Sequence, residues 1–155
     1  MNITRILVPT DFSANSRAAI EPARVLAERF GAHIDLVHVW ESLPLGVPEW
    51  NALGPDGSPV AARVFLKRLA EQEMDKLTRE LREQGMTVHG RLEEGNVWRT
   101  VTRLAAKEHY DLIVVSTHGR TGVERLVMGS IAEQIVRHAP CGVYVVHPEL
   151  PAGGR

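Results

Sequence analysis

A doubly wound α/β fold, with a five-stranded parallel sheet and helices on both faces, is predicted by three observations. Short apolar runs alternate with longer stretches of helical period, the order that builds βαβ units around a parallel sheet. Each helical stretch carries an apolar stripe with a polar back, so the helices cover a sheet. A chain of 155 residues is also long enough to bury roughly two thirds of its unfolded surface around one core.

Taken in order, the first strand is read at residues 5–9 (Arg-Ile-Leu-Val-Pro). A helix follows that Ser13 or Asn15 can cap, with Ala19, Ala23, Leu26, Ala27 and Phe30 on one face and Gly31 ending it. The second strand is residues 32–39. Residues 41–59 hold Pro44, Pro48, Pro55 and Pro59 with Gly46, Gly54 and Gly57 and keep no period, so they are read as a long loop. That loop leaves the carboxyl edge of the sheet, where Trp40 and Trp50 would suit a lid; a disordered or variable insertion is the equal alternative. The second helix places Val64, Leu66, Leu69, Met74, Leu77 and Leu81 at spacings of three and four and stops at Gly85. The third strand is residues 86–92, and Asn96 then caps a helix with Val97, Val101, Leu104 and Ala105 inward. Strands at 111–116 and 142–147, rich in β-branched residues, flank a fourth helix that Gly129-Ser130 opens, with Ile131, Ile135 and Val136 inward. Residues 1–148 thus read as a single domain and 149–155 as a flexible tail.

Right-handed crossovers and a change of face between successive connections give a Rossmann-like sheet with strand order 3-2-1-4-5. Ligands bind such sheets at the switch point, here between the first and fourth strands. Their carboxyl ends carry Pro9-Thr10-Asp11 and Ser116-Thr117-His118-Gly119. Asp11, just past a central strand, is placed to accept from ribose hydroxyls or to cap the first helix.

The segment after the fourth strand leads to the same place. Gly119 and Gly122 permit a backbone turn that approaches a phosphate, and Gly129-Ser130 adds N–H groups, a hydroxyl and the positive end of a helix. Arg120 and Arg125 supply charge nearby. Two glycines alone would also suit an ordinary strand-to-helix turn; the longer spacing up to Gly129 favours the nucleotide reading.

Composition limits the alternatives. With 18 Lys+Arg against 19 Asp+Glu there is no global field to attract nucleic acid or an anionic membrane, so any anion site is local. The single cysteine, Cys141, excludes an intrachain disulfide and a multi-cysteine zinc site; it is read as a small buried residue and points to a reducing compartment. The apolar stretch at residues 6–9 is far shorter than a signal-peptide core or the roughly 20 residues of a membrane span, so a cytoplasmic location is expected. No G-x-x-x-x-G-K-[S/T] occurs, and Pro9-Thr10-Asp11-Phe12-Ser13 stands where a dinucleotide-binding G-x-G-x-x-G would follow the first strand. The histidines lack zinc-protease spacing. Ser116, His118 and Asp11 could be imagined as a hydrolase triad, but no G-x-S-x-G elbow supports it. His118 remains a candidate phosphate or proton-transfer contact, or simply a loop residue.

With these residues in view, the chain resembles the universal stress protein family. Its nucleotide-binding members carry G-x2-G-x9-G-[S/T] between the fourth strand and the last helix, and the resemblance runs from Ile6-Leu-Val-Pro-Thr-Asp-Phe-Ser13 to Ala139-Pro-Cys-Gly-Val-Tyr-Val-Val146. Gly119, the nine residues 120–128 and Gly129-Ser130 match the second half of the motif; Ser116 replaces its opening glycine and adds a Cβ there. The resemblance implies ATP as ligand, with or without Mg²⁺. It implies adenosine contacts at Pro9, Thr10, Asp11 and the main chain near Val39, and phosphate contacts at Gly119, Gly129 and Ser130. Val115, Ser116, His118, Arg120 and Ile131 flank these positions in sequence and complete the candidate set. The last strand is an apolar sheet edge without lysine, Val143, Tyr144, Val145 and Val146, and the resemblance likewise points to a homodimer through it.

The leading expectation is therefore an ATP-binding, dimeric, cytoplasmic stress-response module whose nucleotide occupancy affects an unknown protein partner. No catalytic residue is assigned and no metal ligand is fixed. The alternatives are a slow ATPase or autophosphorylating enzyme, modified on Ser130 or Thr121, and a nucleotide-free dimeric interaction protein in which Ser116 blocks the site.

Overall fold

The computed structural model describes residues 2–41, 51–53, 59–117 and 129–147. In chain order the elements are β1 (Arg5–Pro9), α1 (Ala14–Arg17), α2 (Ile20–Phe30), β2 (His33–Trp40), β3 (Asn51–Leu53), β4 (Pro59–Ala61), α3 (Ala62–Glu83), β5 (Val88–Glu94), α4 (Val97–Lys107), β6 (Leu112–Ser116), α5 (Ser130–His138) and β7 (Gly142–Val146). The main sheet runs β5-β2-β1-β6-β7, with every pair parallel. This is the predicted 3-2-1-4-5 order, with β1 in the centre.

Alternation along the strands divides the core in two. Ile6 and Val8 of β1 pack with Ile34, Leu36, Val88 and Val114 beneath α2 and α3, which contribute Ile20, Ala23, Met74, Leu77 and Leu81. Leu7 joins Val37, Val39, Ile113 and Val115 beneath α4 and α5, which contribute Val101, Leu104, Ala132 and Ile135. Helices thus cover both faces. The caps follow the sequence: Ser16 N–H donates to Ser13 Oγ (3.2 Å), Arg99 N–H to Asn96 Oδ1 (3.3 Å), and Gly31 closes α2 with φ +69°.

Several expectations are corrected. The predicted first helix is two, because Pro22 has no N–H for the Ala18 carbonyl and its ring would crowd that group; α2 restarts at Ile20, which leaves Pro22 in the first turn. The predicted loop at 41–59 contains β3, which pairs antiparallel with β4 from Asn51 opposite Ala61 to Leu53 opposite Pro59. Residues 42–50 and 54–58 and the tail lie outside the described residues. Phe30, Val64, Leu66, Leu69, Ile131 and Val136 are exposed rather than inward. For α3 the cause is length: its 22 residues span about 33 Å, against about 23 Å for the seven of β5, so its amino-terminal half overruns the sheet. Packing on the sheet begins at Ala70 and Met74. Cys141 is only partly buried, packed beside the α4 and α5 cluster, where burial pushes its thiol pKa up.

At the amino ends of the strands a polar cluster closes the sheet. The Arg5 guanidinium lies 4.3 Å from the centre of the Tyr110 ring and donates to Asp35 Oδ2 (3.1 Å), Glu108 O (2.6 Å) and Tyr110 Oη (3.2 Å). Tyr110 Oη donates in turn to Asp35, and Arg91 Nη1 donates to Glu108 Oε2 (2.6 Å). The Arg91 bond, with Arg5 in support, holds the Glu108 carboxyl below the usual carboxylate range. Asp111 Oδ2 accepts from Thr4 N and Oγ1 (both 2.8 Å) and from Arg5 N (3.0 Å), which lowers its pKa as well.

Candidate functional site

The carboxyl ends of β1, β2 and β6, with α3 and the start of α5, enclose a cleft of about 870 Å³. That is the size of a small-molecule site. Pro9, Thr10, Asp11, Val39, Val115, Ser116, Gly129, Ser130 and Ile131 all line it, so these candidate residues from four separate stretches of chain meet around one space. His118, Gly119 and Arg120 lie outside the described residues.

The β1–α1 turn is built from a short polar sequence. Thr10 N–H donates to Val37 O (2.9 Å), continuing the β1–β2 ladder one residue past the strand. Thr10 Oγ1 accepts from Phe12 N–H (3.0 Å) and lies 3.1 Å from Ser16 Oγ, which accepts from Asp11 N–H (3.3 Å) and donates to Ser13 O (3.0 Å). Asp11 Oδ1 accepts from Ser13 N–H (3.0 Å) and Ser13 Oγ (2.5 Å). Asp11 therefore does not cap α1 itself; it holds Ser13, and Ser13 caps. Phe12 occupies the left-handed region at φ +64°, a conformation costing roughly 1–3 kcal/mol for a bulky residue and so held by its surroundings.

On the opposite side, Thr117 N–H donates to Val146 O (2.9 Å) and Gly129 N–H donates to Thr117 O (2.8 Å), which brings the start of α5 back against the end of β6. A Cβ at Gly129 would lie 2.8 Å from that same carbonyl oxygen. The glycine is required here by close approach, at an ordinary φ of −59°. The expectation that Gly129 offers a free N–H is thus corrected: the group is engaged within the fold. The amino end of α5 has no side-chain cap among the described residues, and Ser130 and Ile131 there border the cleft. Its first-turn N–H groups carry the positive end of the helix.

The charged side chains among the described lining residues are Asp11, Glu41 and Glu73, on the β1, β2 and α3 side. The cleft is therefore polarised, with carboxylates on that side and helix-end donors on the β6 and α5 side. Among the described lining residues, an anionic group is favoured at the second. On the carboxylate side, Val37, Val39, Leu66, Leu69 and Ala70 add an apolar wall. Sequence reasoning missed Phe12, His38, Leu66 and Leu69 as lining residues. His38 and Phe12 meet through contacts distant in sequence, while Leu66 and Leu69 were read as core.

A family model described as the universal stress protein family matches residues 2–147. The chain belongs to the universal stress protein family. Universal stress protein MJ0531 of Methanocaldococcus jannaschii is 32% identical over 143 residues, an alignment covering 92% of this chain and 81% of that protein. Among solved structures, protein MJ0577 of the same organism superposes with a TM-score of 0.79 at 22% identity, over 97% of this chain and 99% of that one. A universal stress protein in complex with cAMP gives a TM-score of 0.68 at 18% identity, over 96% and 100% of the two chains. The universal stress protein from Archaeoglobus fulgidus in complex with dAMP gives 0.59 at 16%, over 94% and 98%. These three structures share the universal stress protein fold with this chain.

Proposed function

We propose that the cleft binds an adenine nucleotide, ATP foremost, and that the protein serves as a nucleotide-responsive stress-response module. The observation that carries this reading is the polarised cleft at the β1–β6 switch point, with Asp11 on one side and, on the other, the amino end of α5, which has no side-chain cap among the described residues. The ribose and base lie towards Asp11 and Val39, and the phosphates towards Ser130. Mg²⁺, if present, sits with the phosphates. The adenine nucleotides in the two family structures named above support the choice of ligand class. Residues 1–148 act as one domain in the cytoplasm. They pair with a second copy along β7, which stands at the edge of the sheet with Tyr144 exposed.

The test is the nucleotide content of the purified protein, followed by calorimetric titration of the stripped protein with ATP. Asp11→Ala is the control, with its fold checked by circular dichroism because the carboxylate also holds Ser13 at the cap of α1. Binding by the wild type and a loss of about tenfold or more in Asp11→Ala, the effect of losing a hydrogen bond to a charged group, is the expected result. A stripped protein that ignores adenine nucleotides overturns the reading.

A further inference from the structure

We infer that His38 is a positioning residue of the cleft, fixing the Asp11 carboxylate in the orientation that meets the ribose; this rests on the nucleotide reading above. His38 lies at the carboxyl end of β2 between Val37 and Val39, and its Nδ1 is 2.8 Å from Thr10 O. A carbonyl oxygen only accepts, so Nδ1 carries the proton and donates. The Thr10 peptide is thereby tied to β2 twice, by its N–H to Val37 O (2.9 Å) and by its carbonyl to His38. Asp11 is the next residue.

The same imidazole also acts from the other side of Asp11. Its ring lies 4.4 Å from that of Phe12, at a tilt of 33°, and Phe12 is the residue held at φ +64°. Stacking of this kind stabilises a backbone conformation that an unsupported phenylalanine rarely adopts. Asp11 Oδ1 takes its direction from Ser13 N–H and Oγ, one residue beyond Phe12. One side chain thus secures the backbone before and after the carboxylate. The joint is on the β1 and β2 side of the cleft, whereas the phosphate donors belong to α5. Loss of His38 therefore acts on recognition of the sugar and spares recognition of the phosphates.

The experiment compares binding of ATP and of 2′,3′-dideoxy-ATP by the stripped wild type, His38→Ala and His38→Asn. Asparagine places an amide N–H where the imidazole Nδ1–H stood but removes the ring. The wild type should prefer ATP, and His38→Ala should weaken ATP about tenfold more than it weakens dideoxy-ATP, the upper range for one hydrogen bond. His38→Asn should recover most of the preference. Equal weakening of both ligands, an unaltered ratio in His38→Ala, or an asparagine variant as poor as alanine overturns the inference while leaving the nucleotide reading intact. A wild type that binds ATP without distinguishing the two sugars does the same. Failure of the wild type to bind either ligand overturns the nucleotide reading and the inference with it. Should His38→Ala not fold, His38→Phe, which keeps an aromatic ring and loses the N–H, reads the same ratio.

Discussion

At the amino ends of β1, β2 and β6, Arg5, Asp35, Tyr110 and Asp111 close on one another and on Glu108, whereas at the carboxyl ends Asp11, Ser116 and Gly129 border an open cleft. Both ends are rich in polar atoms. At the amino end charged groups face opposite charges, so the cluster satisfies itself and serves the fold. At the carboxyl end the polar groups are arranged around a space, and the start of α5 has no side-chain cap among the described residues. In a parallel sheet all strands finish on the same side, and the loops that leave it are where ligand chemistry collects. Similar residue types thus carry different roles according to which end of a strand they occupy.

The contrast is broken most strongly by removing Asp35, which is 7% exposed. Asp35→Ala leaves the Arg5 guanidinium and the Tyr110 hydroxyl without their shared acceptor. Breaking a buried pair from one side costs about 3–5 kcal/mol; with Arg5 36% exposed, water screens part of this, and roughly 2–3 kcal/mol is expected. Urea denaturation measures the loss. ATP affinity of the folded variant should be unchanged, since the cluster and the cleft occupy opposite ends of the sheet. A variant as stable as the wild type would show that the cluster contributes nothing to the fold.

A smaller change at the other end should affect both properties together. Gly129→Ala places a methyl group against the Thr117 carbonyl at 2.8 Å and separates α5 from β6. Overpacking of this kind costs about 1–3 kcal/mol. Because the same joint aims the amino end of α5 into the cleft, ATP binding should weaken alongside stability. Preserved stability with lost binding would instead mean that the glycine serves the ligand alone.

The sheet was legible because its strands are short β-branched runs and because right-handed crossovers leave few ways to order them. Ser13, Asn96 and Gly31 were legible as caps for the same local reason. Pro22 was equally visible, and the rule that a proline disrupts the turn before it would have split the first helix. The β3–β4 pairing was hidden because the prolines and glycines between residues 54 and 59 mask two three-residue strands. Leu66 and Leu69 have helical spacing, but spacing does not reveal that α3 outruns the sheet. His38 bonds a carbonyl 28 residues away, and Phe12 takes an unfavourable φ that only its surroundings explain; neither leaves a local pattern. The site was thus readable where it depends on loops at strand ends and unreadable where it depends on contacts between them.

The finest test of the contrast uses the hydroxyl of Tyr110. Burial first, and then its bond to Asp35, pushes its pKa up from 10.0 to about 12. Below pH 10 the phenol is neutral in both folded and unfolded chains, and its contribution to stability is fully present. Above that the unfolded chain loses its proton first, so the contribution falls as pH rises towards about 12. Tyr110→Phe removes the hydroxyl bond and should cost about 1 kcal/mol at neutral pH. It also removes the titration, so the stability gap between wild type and variant, followed by urea denaturation at increasing pH, should narrow above pH 10 and close before about 12. A gap that stays constant across that window would mean that the hydroxyl is no more protected in the fold than in water, and that the amino end of the sheet is more open than its hydrogen bonds imply.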